Sequence, residues 1–387
     1  MIPNVNAHIH TPYSFSAFEN LTEALEKAAE EDVKIVGIND FNTMDGYDEW
    51  KKESLKRHLY PLFNIELISL QKEYQDNGIR VNDPNNPGRT YISGKGLCCP
   101  PILSKPYTTQ LASVRAESNE QVKEMCLLVN ELLSAFDAGF NLNFDVIKDI
   151  FSKGQVRERH LAKALRMSAY IHFKNKPDDI QLFFEKIFND RPLRSNIYNY
   201  ADVENEIRSN LLKAGGAAFV PEGPKAFLYT GDVCKIILAA GGIPTYPFLG
   251  DDAVGNYTEF EGDIEKTADM LRRQGIVSAE FITPRNSIES LEKYAGYLYD
   301  NGFIVTFGTE HNTPAMEPVK PMAQGNTPLT ERLKQISYDG ACVIAAHQER
   351  IRKGNTGYVD VNGIAETANR ETFEKEGDLL INQVIQI

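Results

Sequence analysis

The chain has 387 residues, of which 42% are hydrophobic and 25% are charged, and its formal net charge is −13 at pH 7. This acidic balance argues against a protein that binds nucleic-acid polymers, because such proteins present a basic face to the phosphate backbone. The length predicts one large domain with an insertion, or two domains.

The cysteines predict the compartment. There are five of them, scattered along the chain without a CxxC pair. This pattern indicates reduced thiols, as in a cytoplasmic protein. No run of about 18 apolar residues predicts a membrane span, and the first ten residues have neither the basic nor the apolar region of an export signal. We therefore expect a cytoplasmic protein without a membrane partner.

The N-terminal quarter alternates strands and helices. NVNAHIH from residue 4 predicts a strand, LTEALEKAAEEDV a helix with Asn20 or Thr22 as its N-cap, and KIVGIND a second strand. A strand, a helix and a further strand predict a parallel βαβ unit. LFNIELISL supplies a third strand, and the polar stretch NDPNNPGRTYISGKG at residues 82–96 is predicted to be a loop that closes over a site.

The middle of the chain changes character. Residues 105–230 contain helix-like segments without a credible strand, which predicts a helical insertion domain. The alternation then resumes with predicted strands at 243–248, 278–283 and 303–310 and a long helix at 328–353. We predict an α/β fold, a distorted TIM-like (β/α)7 barrel made of residues 1–104 and 231–387. The helical domain should lie on the carboxyl face of the barrel.

Functional residues of a parallel αβ barrel lie at the carboxyl ends of its strands. In this chain the polar residues at those predicted ends are His8, His10, Asp40, Glu66, Glu280, Glu310 and His311. His8 and His10 are two residues apart, so on a strand they point to the same side. Imidazoles and carboxylates together suit a divalent metal. Each residue also has an ordinary explanation: Asp40 as a helix N-cap, Glu280 as a solvated rim residue and His311 as a loop histidine.

A set of ordered motifs carries a family resemblance. The chain resembles the polymerase and histidinol phosphatase (PHP) family of metal-dependent phosphoesterases, in the branch with a helical insertion, through NAHIHT, GINDFNTMDG, FNIEL, RERHLAKAL, GGAAFVPEG, AAGGIPTYP, SAEFITPRNS and FGTEHNTP. The resemblance implies a distorted seven-stranded barrel with two or three ions of zinc, manganese or iron. It also implies hydrolysis of a small-molecule phosphate ester.

The resemblance assigns metal ligands. The HxH motif of the family matches His8 and His10, and its bridging glutamate matches Glu66. Glu310 stands where the family more often has aspartate, and His311 would take over the last histidine ligand by a shift of one position.

The resemblance also suggests catalytic and phosphate-binding residues. Asp40 would orient or deprotonate the attacking water, and His160 would reach over the barrel mouth from the insertion. Arg285, which follows the glutamate motif of Glu280, and Lys95 would hold the phosphate. The alternatives are a surface arginine, a turn lysine and a packed or capping histidine.

Several family ligands are replaced. Phe41, Tyr91 and Tyr246 stand at positions of family histidines, and Phe15 or Ser16 replaces an acidic residue or histidine. We therefore expect one or two ions rather than three. Phe41 and Tyr246 would instead form aromatic walls of a substrate pocket, which would favour a nucleoside or aryl phosphate.

Three functions remain open at this point. The first is a metal-dependent phosphoesterase acting on a small phosphomonoester. The second is a degenerate relative that binds a ligand without hydrolysing it. The third is an amidohydrolase-like enzyme for C–N or C–O bonds, because amidohydrolases also carry HxH after their first strand; the sequence gives no well-placed strand lysine for their carbamate bridge.

Overall fold

The computed structural model describes residues 2–223, 225–251 and 255–385. Its strands are β1 Asn4–Ile9, β2 Val33–Phe41, β3 Tyr60–Leu70, β4 Arg89–Lys95, β5 Leu228–Tyr229, β6 Ile243–Phe248, β7 Ser278–Ile282, β8 Ile304–Gly308, β9 Met322–Ala323 and β10 Thr327–Pro328. Its α-helices are α1 Leu21–Glu30, α2 Tyr47–Lys56, α3 Lys72–Asp76, α4 Lys105–Ala135, α5 Phe144–Phe151, α6 Glu158–His172, α7 Pro177–Ile187, α8 Tyr200–Ile207, α9 Thr230–Ala239, α10 Ile264–Arg273, α11 Ile288–Asp300, α12 Glu331–Arg352 and α13 Arg370–Ile385. Shorter helical turns cover Arg208–Leu212, Thr283–Arg285, Gln324–Asn326 and Thr367–Asn369.

Seven strands form a nearly closed barrel in the order β1-β2-β3-β4-β6-β7-β8. A parallel bridge between Ile9 and Glu310 joins the segment after β8 to the end of β1. The predicted TIM-like barrel is therefore confirmed. One strand departs from the expected pattern, because β4 runs antiparallel to both β3 and β6.

The predicted loop at residues 82–96 is partly wrong. Its second half is β4, in which Ser93 pairs with Glu66 and Lys95 pairs with Ile243. Side chains alternate along this strand, so that Ile92 packs into the apolar core while Ser93 faces the barrel interior. Of the residues that suggested a loop, Ser93 and Lys95 face a polar barrel interior, whereas Gly94 lies on the opposite face against Ile237 of α9.

The first helix illustrates how local sequence sets the elements. Asn20 caps α1, because its side-chain oxygen accepts a hydrogen bond of 3.0 Å from the Glu23 N–H. The buried residues recur with helical spacing and pack against the outer face of the sheet; they are Leu21, Ala24, Leu25 and Ala28. The odd residues of β1 likewise face outward into apolar cores, which leaves its even residues facing the barrel interior.

Helices α4–α8 enclose an apolar core of their own. Helix α4 has 31 residues and joins two cores, because Leu111 packs in the barrel core while Val122 and Leu133 pack in the core of the helices. We propose that residues 105–230 form a helical domain inserted in a barrel of residues 1–104 and 231–387. The short strand β5 closes this region and pairs with β3, although no strand was predicted there.

The helical region meets the barrel at the carboxyl end of β2. The guanidinium carbon of Arg157 lies 4.3 Å from the centre of the Phe41 ring, and the ring of His160 lies 5.0 Å from that of Phe15. Both contacts come from the start of α6, which therefore lies over the barrel mouth. None of the described helices is long and apolar enough to cross a membrane.

A buried histidine on α12 predicts a pH dependence of stability. His347 Nε2–H donates to the Gly241 carbonyl at 2.8 Å, while its Nδ1 accepts from the Tyr358 N–H at 2.9 Å. Burial lowers the pKa of His347 from 6.5 to about 4. The unfolded chain therefore takes up this proton first as the pH falls. We expect the free energy of unfolding to fall by about 3 kcal/mol in total because of this histidine as the pH drops from 6.5 to 4. Above pH 6.5 this histidine should have no effect on the pH dependence.

The variant His347→Gln should remove this dependence. Its free energy of unfolding, measured in urea at pH 7, 5.5 and 4.5, should fall less steeply than that of the wild type. His58 is exposed, so His58→Asn serves as the control and should keep the wild-type slope. A constant difference between His347→Gln and the wild type at all three pH values would contradict the prediction.

Candidate metal centre

Three buried side chains converge near the carboxyl end of β1 and the middle of β3. His8 lies on β1, His10 directly follows it, and Glu66 lies on β3. The two Nε2 atoms are 3.1 Å apart, and Glu66 Oε2 lies 3.1 Å from Nε2 of His10 and 3.6 Å from Nε2 of His8. These donor atoms all lie within 4.8 Å of one another, and they form a group that could hold a metal ion.

The donor set fits a divalent metal. Glu66 Oε2 is buried and has no hydrogen-bond partner, although buried polar atoms are normally satisfied. Two imidazole nitrogens and one carboxylate oxygen directed at a common point are typical ligands of zinc, manganese or iron. Burial opposes ionisation of Glu66, but the neighbouring His8 and His10 lower its pKa well below the usual range. The carboxylate is therefore charged and available as a ligand.

A buried ion pair between Glu280 and Lys95 lies beside Nδ1 of His8, on the opposite side of the ring from the metal group. Glu280 Oε2 lies 3.1 Å from Nδ1 of His8 and 2.5 Å from Nζ of Lys95, and Ser93 donates to the other oxygen of Glu280. When Nδ1–H is donated to Glu280, Nε2 of His8 presents its lone pair to the metal position. Burial opposes protonation of His8, but Glu280 and Glu66 raise its pKa to about 9, so metal binding at Nε2 would release a proton from this ring. Burial also opposes ionisation of Glu280, but Lys95 and His8 lower its pKa to about 2.

The prediction that Lys95 binds the phosphate is wrong. Its side chain is 0% exposed, and Nζ also donates to the Ala7 carbonyl at 3.0 Å. The reason is the antiparallel direction of β4, which places Lys95 beside Ile243 at the start of β6, away from the barrel mouth. Lys95 does lie on a strand and faces the barrel interior. The ion pair with Glu280, however, occupies the amino group of Lys95.

Asp40 is held by the chain segment that follows the histidines. Oδ1 accepts hydrogen bonds from the Thr11 N–H at 2.8 Å and from Ser14 Oγ at 2.6 Å, and Oδ2 accepts from Thr11 Oγ1 at 2.5 Å. Nδ1 of His10 lies 3.9 Å from Oδ1. Burial raises the pKa of Asp40. The predicted role in activating water does not fit this position, since Asp40 lies behind His10 and anchors the turn that positions it.

The aromatic side chains that replace family histidines point in different directions. The ring of Phe41 stacks on His10 with centres 4.6 Å apart, and Tyr91 lies 6.2 Å from Phe41. Phe41 is only 4% exposed, so its predicted role as a substrate-binding wall is wrong. Tyr246 was also predicted at the pocket, and this is wrong as well. It pairs with Ala279, on the opposite face of the sheet from Glu280, and its hydroxyl donates to a Glu261 carboxylate at 2.8 Å.

Glu310 and His311 follow β8 and were both predicted as metal ligands. The carboxylate of Glu310 lies outside the three-residue group and forms an ion pair with Arg285. His311 points elsewhere: Nε2–H donates to the Glu317 carbonyl at 2.9 Å, and the ring stacks on Phe18 with centres 4.9 Å apart. The prediction for His311 is wrong because the backbone reverses there, with φ of 67° at Glu310 and 61° at His311.

His160 caps its own helix. Its Nδ1 accepts a hydrogen bond of 2.9 Å from the Arg157 N–H at the start of α6. Burial and the charge of Arg157 lower the pKa of His160 to about 3. The predicted catalytic role does not fit a buried ring with this partner, and the alternative of a capping histidine describes it correctly.

A cavity of about 690 Å³ opens beside the metal group. Glu66 and Glu310 line it, together with three cationic side chains, Arg89, Lys213 and Arg285. The sequence interpretation missed Arg89 and Lys213, because Arg89 lies on the unrecognised strand β4 and Lys213 comes from the far end of the helical region. Only the fold brings them to one cavity.

Comparison with known proteins identifies the family and the fold. Residues 6–203, slightly more than half of the 387-residue chain, match the PHP domain. No curated protein matches the chain in sequence. A candidate metal-dependent phosphoesterase from Bifidobacterium adolescentis is 16% identical with a TM-score of 0.56, over 87% of this chain and 96% of that chain. An amidohydrolase from Chromobacterium violaceum, with bound sulfate and no metal, is 17% identical with a TM-score of 0.53, over 86% of this chain and 96% of that chain.

At these identities the two solved structures show a shared fold alone. The domain match covers the HxH motif, Asp40 and Glu66. It also extends through most of the helical region, as far as α8. The chain belongs to the PHP domain family.

Proposed function

We propose that the protein is a metal-dependent phosphoesterase that hydrolyses a small phosphomonoester at the group formed by His8, His10 and Glu66. The observation that carries the proposal is the buried oxygen of Glu66, which lacks a hydrogen-bond partner and converges with two imidazole nitrogens. A cavity lined by cationic side chains lies directly beside it.

One divalent ion of zinc, manganese or iron fits this group, with His8, His10 and Glu66 as its protein ligands. Such an ion supplies Lewis acidity, which activates water and polarises a phosphoryl oxygen. The ring of Phe41 stacks on the His10 ring, and a hydrocarbon ring offers no ligand atom.

Residues of the chain orient the ligands and hold the substrate. Glu280 fixes the ring of His8 through Nδ1, and Asp40 anchors the turn after His10. Such supporting partners commonly change metal affinity by about 10- to 100-fold when removed. Arg285, Arg89 and Lys213 line the cavity and would bind phosphate oxygens, since guanidinium and ammonium groups suit phosphate.

The test combines metal analysis with hydrolysis assays. Purified protein should contain bound metal, should hydrolyse phosphomonoesters such as 4-nitrophenyl phosphate, should lose activity to a chelator and should recover it with Mn²⁺. A phosphodiester and an amide substrate serve as controls and should react far more slowly. Bound metal without hydrolysis of any ester would support a binding protein instead, and preferential hydrolysis of the amide would support an amidohydrolase.

A further inference from the structure

The backbone of Glu310 is fixed between the two histidines. Its N–H donates to the His8 carbonyl at 2.9 Å, and its own carbonyl accepts from the His10 N–H at 2.7 Å. The carboxylate thus starts from a backbone position next to both proposed ligands. It nevertheless makes an ion pair with Arg285 rather than joining the metal group.

The backbone at Glu310 and His311 forms an unusual turn. Both Glu310 and His311 have a positive φ, a left-handed conformation that is strained for residues with a Cβ atom and that is concentrated at functional sites. The turn sends the ring of His311 away, where Nε2–H is bound to the Glu317 carbonyl. Of Glu310 and His311, only Glu310 lines the cavity, together with Asn312.

Three carboxylates line the same cavity, those of Glu66, Asp83 and Glu310, and Asp83 lies 3.8 Å from Arg89. Each needs a positive partner, because carboxylates removed from water are costly unless they are paired. Glu66 has the proposed metal ion, and Glu310 has the guanidinium of Arg285, which stands at the cavity rim with 42% of its side chain exposed.

We propose that Arg285 acts as a built-in second cation, which holds Glu310 and keeps the centre at one metal ion. This inference rests on the metal group of the proposed function. A guanidinium stays protonated in proteins and carries five N–H donors, so it can contact Glu310 and a phosphate oxygen together. Unlike a second metal ion, it does not exchange with solvent, so the ion count stays independent of the metal concentration.

The experiment counts bound ions. Wild type and variants are dialysed to equilibrium against Mn²⁺, the bound metal is measured, and spin coupling between two Mn²⁺ ions is followed by electron paramagnetic resonance. We expect one ion in the wild type, two coupled ions in Arg285→Gln, and one ion again in Arg285→Gln/Glu310→Gln. Arg89→Gln, which changes another cavity arginine, is the matched control and should stay at one ion.

The outcomes separate this inference from the proposed activity. One ion in both the wild type and a folded Arg285→Gln would overturn the inference, as would two ions in the wild type. Arg285→Met provides a second neutral variant if thermal unfolding shows that Arg285→Gln does not fold. A wild type with one ion and the expected gain in Arg285→Gln, but without hydrolysis of any phosphomonoester, would overturn the proposed activity and leave the inference standing.

Discussion

Lys95→Met should lower the free energy of unfolding by about 3 kcal/mol, at the low end for a broken buried ion pair, because Glu280 loses its closest cation and keeps only His8 beside it. The ammonium of Lys95 and the carboxylate of Glu280 are both fully buried and 2.5 Å apart. Methionine fills a similar volume, so the loss would reflect the charge rather than a cavity. Urea unfolding at pH 7, compared with the wild type, measures the effect.

The matched control is an exposed pair. Lys34 lies 3.0 Å from Asp32, and both side chains are well exposed, so Lys34→Met should cost at most about 1 kcal/mol. The double variant Lys95→Met/Glu280→Gln should recover part of the loss, because it removes both buried charges. A loss of less than about 1 kcal/mol in Lys95→Met would show that Glu280 finds another partner or takes up a proton.

Glu66→Gln should abolish stoichiometric metal binding and reduce hydrolysis of phosphomonoesters by roughly 10³-fold. A metal ion contributes several kcal/mol to such reactions, and each 1.36 kcal/mol is a factor of ten in rate. Glutamine keeps the size of the side chain but carries no charge, and its amide nitrogen cannot bind a cation. Metal analysis after dialysis and initial rates with 4-nitrophenyl phosphate measure the two effects.

Glu222→Gln is the control for this change. Glu222 pairs with Arg89 at 2.9 Å at an accessible position, and it is not part of the metal group. This variant should keep both bound metal and the greater part of the activity. Retention of one tightly bound ion in Glu66→Gln would place the metal elsewhere and refute the assignment of the centre.

The sequence predicted the centre of the site because its signal is local. The period of two along a strand places His8 and His10 on one side, and the family motif adds Glu66 from β3, which is separated from β1 by β2. The wrong predictions for Tyr246 and Lys95 depend on strand register and strand direction. Tyr246 and Lys95 are both on strands, but the face of one and the direction of the other depend on pairing partners far away in the chain.

The turn after β8 escaped prediction for a different reason. Glu310 is not a residue that marks a left-handed backbone in a sequence, since glycine and asparagine are the usual ones. The conformation of Glu310 is held by hydrogen bonds to β1, which lies at the other end of the chain. The sequence therefore allows His311 to take over the last histidine ligand by a shift of one position. In the structure, the turn directs the His311 ring away from the metal group.

Helix α4 has a mechanical consequence. At about 1.5 Å per residue, its 31 residues form a continuous rod of about 46 Å. Leu111 near one end is embedded in the barrel core, and Leu133 near the other is embedded in the core of the helices. A helix that is packed into both the barrel and the helical region resists hinge bending between the two. Substrate exchange should therefore proceed through rearrangement of cavity side chains, rather than through opening of the helical region as a lid.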